Sequence, residues 1–343
     1  MERLEKVAVI VLCWNGKKLL EEFLPSLLEH QTMEMDIVVA DNFSDDDSVD
    51  YLKKRFPFVK VISLKKNYGF AGGYNEAIKL IDSEYIVLIN QDVAVTDNWL
   101  APMLEIMMND KKVGAVQPKI KAYNNRSHFE YAGAAGGWMD RWGYTFCRGR
   151  VFDFIEEDEQ QYDQIGEIFW CSGACMLTRK KIYESLGGFD ANFFAHMEEI
   201  DFCWRLKNAG YTIICQPESV VYHLGGGSLP QGNPYKTYLN FRNNLIMMVK
   251  NLPAGQLFST ILFRMILDGF AGIRSLLKGN VSDFFAITKA QWHFLFHLRK
   301  WKKRRKDNEH FLFDNMNGVY RGSIVWDYFV KKKRRFSQIM DHH

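Results

Sequence analysis

Six apolar residues in a row, VAVIVL at residues 7–12, begin the patterned part of the chain, and a rhythm of helical period follows to about residue 30. The exchange then repeats as DIVVA, a short helical stretch near 49–55, VKVISL, a helical stretch over 71–81, and EYIVLI. Short continuous apolar runs separated by amphipathic segments predict buried parallel strands with crossover helices. Ligands of such sheets bind beyond the carboxyl ends of the strands, where this chain places CWNG, ADNFSDDDS, KKNYGFAGGYN and NQD. Between residues 118 and 173 the rhythm loosens, with many glycines and aromatics, and this half is expected to be irregular and to shape a substrate site. MEEIDFCWRLKNAGY then predicts a helix closed by Gly210. YTIICQ and SVVYH predict strands, and LGGGSLPQGNP a flexible loop.

Beyond residue 235 the pattern is helical. Over 257–277, Leu257, Phe258, Ile261, Leu262, Met265, Ile266, Phe270, Ile273 and Leu277 gather on one side, and Thr260, Arg264, Asp268, Ser275 and Lys278 on the other. Charges inside that run argue against a simple transmembrane span. HFLFHLRKWKKRRK and VWDYFVKKKRR join aromatic-rich helices to dense Lys and Arg, the composition of segments that lie on an anionic bilayer. The chain therefore divides into a body over 1–250 and a basic amphipathic helical region over 251–343, without internal repeats.

With 343 residues and 47% hydrophobic content, the chain can bury a large core. It opens without a charged n-region leading into an apolar h-region, so export is not expected. The six cysteines lie scattered in apolar stretches without zinc-ligand spacing and read as reduced, buried thiols of a cytosolic protein. Net charge is only +3 but lopsided: residues 257–343 hold 17 Lys and Arg against 7 Asp and Glu, and the first 256 hold 27 against 34. An acidic body with a basic tail points the tail at something anionic. The tail's aromatics fall at helical spacing, which suits lipid and argues against nucleic acid.

Three stretches carry candidate chemistry. LINQD ends an apolar strand in Asn90 and Asp92; Asp92 is a hard ligand for a divalent cation at the sheet edge, or else a polar strand terminus. YGFAGGYN supplies glycines where a helix begins, so backbone and helix dipole can meet a phosphate, although it is not the G-x-G-x-x-G of a dinucleotide site. AHMEEIDFCWRL crowds Glu198, Glu199 and Asp201 into four positions, an arrangement that is unfavourable unless something uses the charge. As a helix it puts Glu198, Asp201 and Arg205 on one face, with Glu199 about 100° away. His223 follows an apolar strand, and Trp170 is either a core residue or an aromatic platform for a ligand.

In chain order, VIVLCWNG, VVADNFSDDDS, NYGFAGGYN, LINQD, WCSGACMLTRK, GGFDANFFAHMEEIDFCWRLKNAGY and VVYHLGGGS resemble the family 2 glycosyltransferases, particularly the bacterial rhamnosyltransferase-like members, over residues 6 to 250. The resemblance implies a GT-A nucleotide-sugar-binding fold, α/β, with a central mostly parallel sheet flanked by helices. It implies an inverting glycosyltransferase that uses a nucleotide-diphosphate sugar and Mg²⁺ or Mn²⁺, acting on a glycan or lipid-linked acceptor of a cell-surface polysaccharide, from the inner face of the cytoplasmic membrane. Asp41, Asn42, Gly72, Gly73, Asn75 and Asn90 are then expected around the donor nucleotide, and Asp92 and His223 on the metal. Trp170 is expected at the acceptor, and Glu199 as the base with Asp201 in reserve. Two departures stand out: Asn90 replaces the first carboxylate of the D-x-D motif, and position 199 is Glu where Asp is usual. They leave a silent membrane-associated nucleotide-sugar-binding protein as an alternative. A sugar-phosphate nucleotidyltransferase is another, disfavoured because CWNGKK stands where a Gly-rich Arg and Lys loop would follow the first strand.

Overall fold

The computed structural model describes residues 6–31, 34–225, 232–305 and 313–341. The alternation at the start of the chain becomes β1 (Val7–Cys13), α1 (Lys17–Glu29), β2 (Asp36–Asp41), α2 (Ser48–Arg55), β3 (Lys60–Ser63), α3 (Gly69–Ile78) and β4 (Tyr85–Asn90). Strand β1 lies between β2 and β4, β2 pairs with β3, and all run parallel. Every residue of β1 is buried, as a central strand covered on both faces requires. Helix α1 covers one face through Leu20, Phe23, Leu24 and Leu27.

Next come β5 (Val93–Val95), α4 (Ala101–Asn109) and β6 (Val113–Ala122). The stretch expected to be irregular holds a second sheet instead: β7 (Gly137–Asp140), β8 (Thr145–Cys147), β9 (Arg150–Val151) and β10 (Phe154–Ile155) form an antiparallel meander. Strands of two to four residues leave no readable alternation, so periodicity misses them. The body closes with β11 (Gly166–Glu167), β12 (Cys175–Arg179), α5 (Lys180–Ser185), α6 (Glu198–Asn208) and β13 (Thr212–His223). The two strands expected over 211–223 are one, β13, with a register shift between Gln216 and Val220. The large sheet runs β11-β13-β6-β12-β4-β1-β2-β3 with β5 on β13. Only β12, β5 and β11 oppose their neighbours, so the sheet is mostly parallel, as expected. All six cysteines are buried and unbridged. Most of the loop expected after His223 lies outside the described residues.

The remaining elements are α7 (Pro234–Asn251), α8 (Ala254–Leu277), α9 (Val281–Phe296), α10 (Leu298–Lys302), β14 (Val319–Tyr320), α11 (Ile324–Phe329) and α12 (Phe336–Met340). They fold onto the body. Strand β14 pairs with β7, Phe313 stacks on Trp204 with centroids 4.6 Å apart, and Phe336 lies against Trp138, Phe146 and Tyr162.

Helix α8 turns its polar stripe inward: its buried residues are Thr260, Arg264, Asp268 and Gly272, four positions apart each time. Arg264 donates to Asp268 at 2.8 Å, to the Gly143 carbonyl at 2.9 Å and to Asn244 Oδ1 at 2.6 Å. The Tyr144 hydroxyl donates to Asp268 at 2.9 Å. Replacing Arg264 by Met strands a buried carboxylate, and we expect chemical denaturation to register a loss of about 3 to 5 kcal/mol, most of it recovered in the double variant Arg264→Met/Asp268→Leu. A single-variant loss under about 1 kcal/mol contradicts an inward polar stripe that anchors α8.

Candidate active site

The acidic cluster opens helix α6, and its three carboxylates have separate fates. Asp201 is fully buried. Its oxygens accept from Arg205 Nε at 2.9 Å, Lys250 Nζ at 2.8 Å and Asn251 Nδ2 at 2.8 Å. Burial alone pushes its pKa up, but Lys250 and Arg205 outweigh that and hold it below the ordinary value. An ionised carboxylate sealed behind the helix cannot meet an acceptor hydroxyl, so Asp201 is a structural anchor and not a reserve base. At about 100° per residue, an inward Asp201 sends Glu199 some 200° round the helix, to the opposite side. There Glu199 stands against Gly173: a Cβ on that glycine would lie 3.9 Å from Glu199 Cβ and 3.3 Å from the Phe70 ring. Glu199 Oε2 has no hydrogen-bond partner, and neither has Glu198 Oε2. Burial lifts the Glu199 pKa to about 7, against the backbone of Glu199, Ile200 and Met197 at the helix start, which favours the charged form. Burial, then the charge of Glu199, pushes Glu198 well above the usual carboxylate range.

The backbone that delivers Glu199 is strained. Phe194, His196 and Met197 have φ of 67°, 68° and 72°, left-handed values that cost a non-glycine residue roughly 1 to 2 kcal/mol each. Asn243 of α7 holds them by donating to the carbonyls of Phe193, Ala195 and His196 at 3.0, 2.9 and 2.7 Å. From the other side, Phe70 N and Ala71 N of α3 donate to the Phe194 carbonyl at 2.8 and 3.2 Å. The amino end of α3, expected to greet a phosphate, is therefore occupied by the chain's own carbonyl.

Strand β5 pairs with β13 so that Val93 lies opposite His223, which brings Asp92 to the imidazole. His223 Nε2 is 3.2 Å from Asp92 Oδ1 and 3.4 Å from Asn90 Nδ2, and Nδ1 is 3.4 Å from Glu130 Oε2. Burial alone would lower the His223 pKa; Glu130 and Asp92 outweigh it and raise it to about 10. Asn90 N donates to the Ala174 carbonyl at 3.0 Å, so the NQD turn and Glu199 flank the same turn at residues 173–174. Without a cation the His223 ring therefore keeps its proton at neutral pH; a divalent cation bound between Asp92 and His223 would displace that proton and take its other ligands from phosphate oxygens and water. Among the described residues, no group of three or more His, Cys, Asp or Glu is arranged to hold an ion by itself.

The donor-side residues divide. Asp41 ends β2, buried, with its carboxylate accepting from Ser44 N at 3.3 and 3.4 Å. Asn42 ties that strand end to the next loop, donating to Asn67 Oδ1 at 3.1 Å and the Gly69 carbonyl at 3.0 Å, and accepting from Tyr68 N at 3.0 Å. Gly72 and Gly73 face the protein, since a Cβ would meet Tyr68 Cβ at 3.0 Å and Leu12 Cδ1 at 2.8 Å. Asn75 clamps Phe189, donating to its carbonyl at 2.8 Å and accepting from its N–H at 3.0 Å. These contacts give all three a part in holding the fold together. Trp170 is likewise a core residue: buried, it lies over Gly137 and donates to the Trp138 carbonyl at 2.9 Å, so no ring face is left for a sugar. Sequence reasoning missed Glu130 and Asn243, which sit in a patternless stretch and inside an apparently ordinary helix. A separate cavity of about 380 Å³ behind α6 is lined by Asp190, Arg205, Lys250 and Arg304, but Asp190 already pairs with Lys250 and Arg304, and Arg205 with Asp201.

The model of glycosyl transferase family 2 matches residues 8–187, over half of the chain. The chain belongs to that family. Among curated relatives of this family 2 glycosyltransferase, the N-acetylglucosaminyl-diphospho-decaprenol L-rhamnosyltransferase of Mycobacterium tuberculosis is 23% identical over 229 residues, 63% of this chain and 75% of that protein. The poly-beta-1,6-N-acetyl-D-glucosamine synthase of Staphylococcus epidermidis is 24% identical over 226 residues, covering 65% of this chain and only about half, 51%, of its own length. Two solved structures share the GT-A fold at identities that speak for the fold alone. GalNAc-T7 with UDP, GalNAc and Mn²⁺ has a TM-score of 0.55 at 16% identity, covering 73% of this chain and 48% of that one. The Pyrobaculum calidifontis mannosyltransferase PcManGT with GDP-Man and Mn²⁺ has 0.54 at 15% identity, covering 88% and 84%.

The raised Glu199 pKa has a stability consequence in the family 2 glycosyltransferase without its substrates. The folded chain keeps a proton that the unfolded chain, at 4.5, has released, so stability falls as pH rises from 4.5 to about 7 and stays lowered above. Glu199→Gln removes this penalty. We expect the variant to exceed the wild type by about 1 to 3 kcal/mol near pH 8 and to match it near pH 4, read by denaturant titration at both pH values. A difference that does not change with pH contradicts the assignment.

Proposed function

We propose that this family 2 glycosyltransferase transfers a hexosyl or rhamnosyl unit with inversion, from a nucleotide-diphosphate donor to a glycan or lipid-linked acceptor, in the synthesis of a bacterial cell-surface polysaccharide. One observation carries the reading: Glu199, whose Oε2 has no hydrogen-bond partner, lies against Gly173, while the next residue, Ala174, is bonded by Asn90, the neighbour of the Asp92–His223 pair. Inversion needs a base on the acceptor side of the sugar and positive charge on the leaving-group side. With its pKa near 7, Glu199 is ionised often enough to take the acceptor proton, yet basic enough to hold it. Its extra methylene relative to the usual Asp reaches from a helix start whose height Asn243 sets.

Asp92 and His223 are the residues proposed to hold Mg²⁺ or Mn²⁺, with Glu130 orienting the imidazole from behind. A bound cation supplies neutralisation of the charge that grows on the leaving diphosphate. Asn90, an amide where a carboxylate is usual, stands with its Nδ2 3.4 Å from His223 Nε2 and contributes no charge. Asp41 is the proposed nucleoside contact, and Asn42 keeps the loop beside it in place. The names of the relatives favour this acceptor class: one is a rhamnosyltransferase named for N-acetylglucosaminyl-diphospho-decaprenol, another a synthase of poly-beta-1,6-N-acetyl-D-glucosamine. A catalytic body over 1–250 with a basic region over 251–343 then works from the cytoplasmic side of the membrane, the latter against an anionic surface.

The test is a thermal-shift screen of nucleotide sugars with and without Mn²⁺ or Mg²⁺. A donor at 100 times its dissociation constant stabilises by about 2.7 kcal/mol. We expect one donor to do so only with the cation, Asp92→Ala to lose the effect, and Glu199→Gln to keep it while transfer falls by about 10² to 10⁴. Unaltered transfer by Glu199→Gln contradicts the proposal.

A further inference from the structure

Helix α8, which forms a hairpin with α9, is inside out for a protein in water. With Thr260, Arg264, Asp268 and Gly272 turned inward, the opposite side of α8 presents Phe258, Ile266, Phe270 and Leu277 to solvent, exposed by 80, 49, 63 and 83%. Helix α9, joined to α8 through the Gln291 bond to the Met265 carbonyl at 2.8 Å, adds Phe285 and Phe296 at 63 and 77%. An amphipathic helix in a soluble domain does the reverse, and an apolar face this continuous marks an interaction surface.

We propose that this face is buried in an anionic bilayer, with α8 and α9 lying in the plane of the interface and not crossing it, a reading that rests on the membrane-side transferase proposed above and adds the surface that docks it. Charge selects the occupant. Residues 254–305 contain ten Lys and Arg against two Asp. One of those acids, Asp268, is already paired with Arg264 in the interior. Arg299, Lys300, Lys302 and Lys303 stand exposed directly after Phe296. Such a cationic rim matches lipid phosphates, whereas a second copy of the chain would bring two like-charged rims together. Crossing is disfavoured by the middle of α8. Arg264 and Asp268 would have to leave Gly143, Tyr144 and Asn244 and enter hydrocarbon.

The docked face adjoins the chemistry. Thr237 donates to Asp283 at 2.7 Å, and Tyr238 meets His293 Nδ1 at 2.7 Å, tying α9 to the first turns of α7. Asn243 of the same helix holds the loop that carries Glu199. An acceptor anchored in the bilayer would thus arrive beside the base.

The experiment uses the full chain with vesicles of equal parts phosphatidylglycerol and phosphatidylcholine, and with phosphatidylcholine alone, read by co-sedimentation. We expect binding to the anionic vesicles that weakens with salt, and quenching of Trp292, which stands exposed on α9 beside Phe296, by lipids brominated near the interface, lost in Trp292→Phe. The triple variant Phe258→Ser/Phe270→Ser/Phe285→Ser should bind at least about tenfold more weakly while keeping its melting temperature and its donor-induced thermal shift, because those side chains touch solvent and not the core. Unchanged vesicle binding by the triple variant overturns the inference, as does a dimer in solution that ignores vesicles. The donor-induced shift keeps the two readings apart: its presence without vesicle binding retires the docking face alone, and its absence with vesicle binding retires the transferase reading alone.

Discussion

The Lys250 ammonium, buried between Asp190 and Asp201 at 2.8 Å from each, is the contact on which the site depends. It joins the segment before α6, α6 itself and the end of α7 at one charge. Because Asp201 is held inward, the rotation of α6 has no freedom left, and Glu199 must face the turn at Gly173. A buried ion pair of this kind adds little net stability compared with apolar packing, but breaking it leaves uncompensated charge, and so it specifies a geometry more than it strengthens one. The left-handed residues 194, 196 and 197 are held in place as Asn243 and the amino end of α3 bind the carbonyls of residues 193–196 from two sides.

Two charge arrangements thus divide the molecule's work. At α6 the inward carboxylate is neutralised so that the outward one can stay unpaired, with burial setting its affinity for a proton. At α8 the inward Arg264 and Asp268 are neutralised by each other, so that the outward side is free to be apolar. Helix α7 belongs to both. Its Asn243 and Lys250 fix the catalytic loop and α6, while its Asn244 receives Arg264 from α8. The C-terminal region is therefore coupled to the site through α7, with Phe313 on Trp204 of α6 and Arg304 on Asp190 as further contacts, and strand β14 seals it to the small sheet.

Much of this architecture can be read from local pattern. The apolar runs at 7–12, 37–40 and 85–89 are buried, and short continuous apolar runs at that spacing are what strands of a covered parallel sheet require. Asp92 and His223 are likewise legible, because each ends a strand and strand ends meet at one sheet edge. What stays hidden depends on distant partners. The choice between Glu199 and Asp201 turns on a lysine 49 residues further along. Trp170 looks free until Gly137 closes over it, and the glycines and Asn75 of α3 look like a phosphate cradle until the Phe194 carbonyl and Phe189 backbone occupy them. The amphipathicity of α8 is plain in the sequence, but which side faces water depends on Gly143, Tyr144 and Asn244, none of which announces itself.

The central claim is that Glu199, freed by the pinning of Asp201, removes the acceptor proton. The most direct measurement is kcat/KM for sugar transfer as a function of pH, in the wild type and in Glu199→Gln. The account predicts a wild-type rate that climbs about tenfold per pH unit on the acid side and levels near 7, where the Glu199 carboxyl loses its proton, and a variant rate that is low and lacks this limb. A wild-type profile flat across that range, or the same limb in the variant, would contradict it.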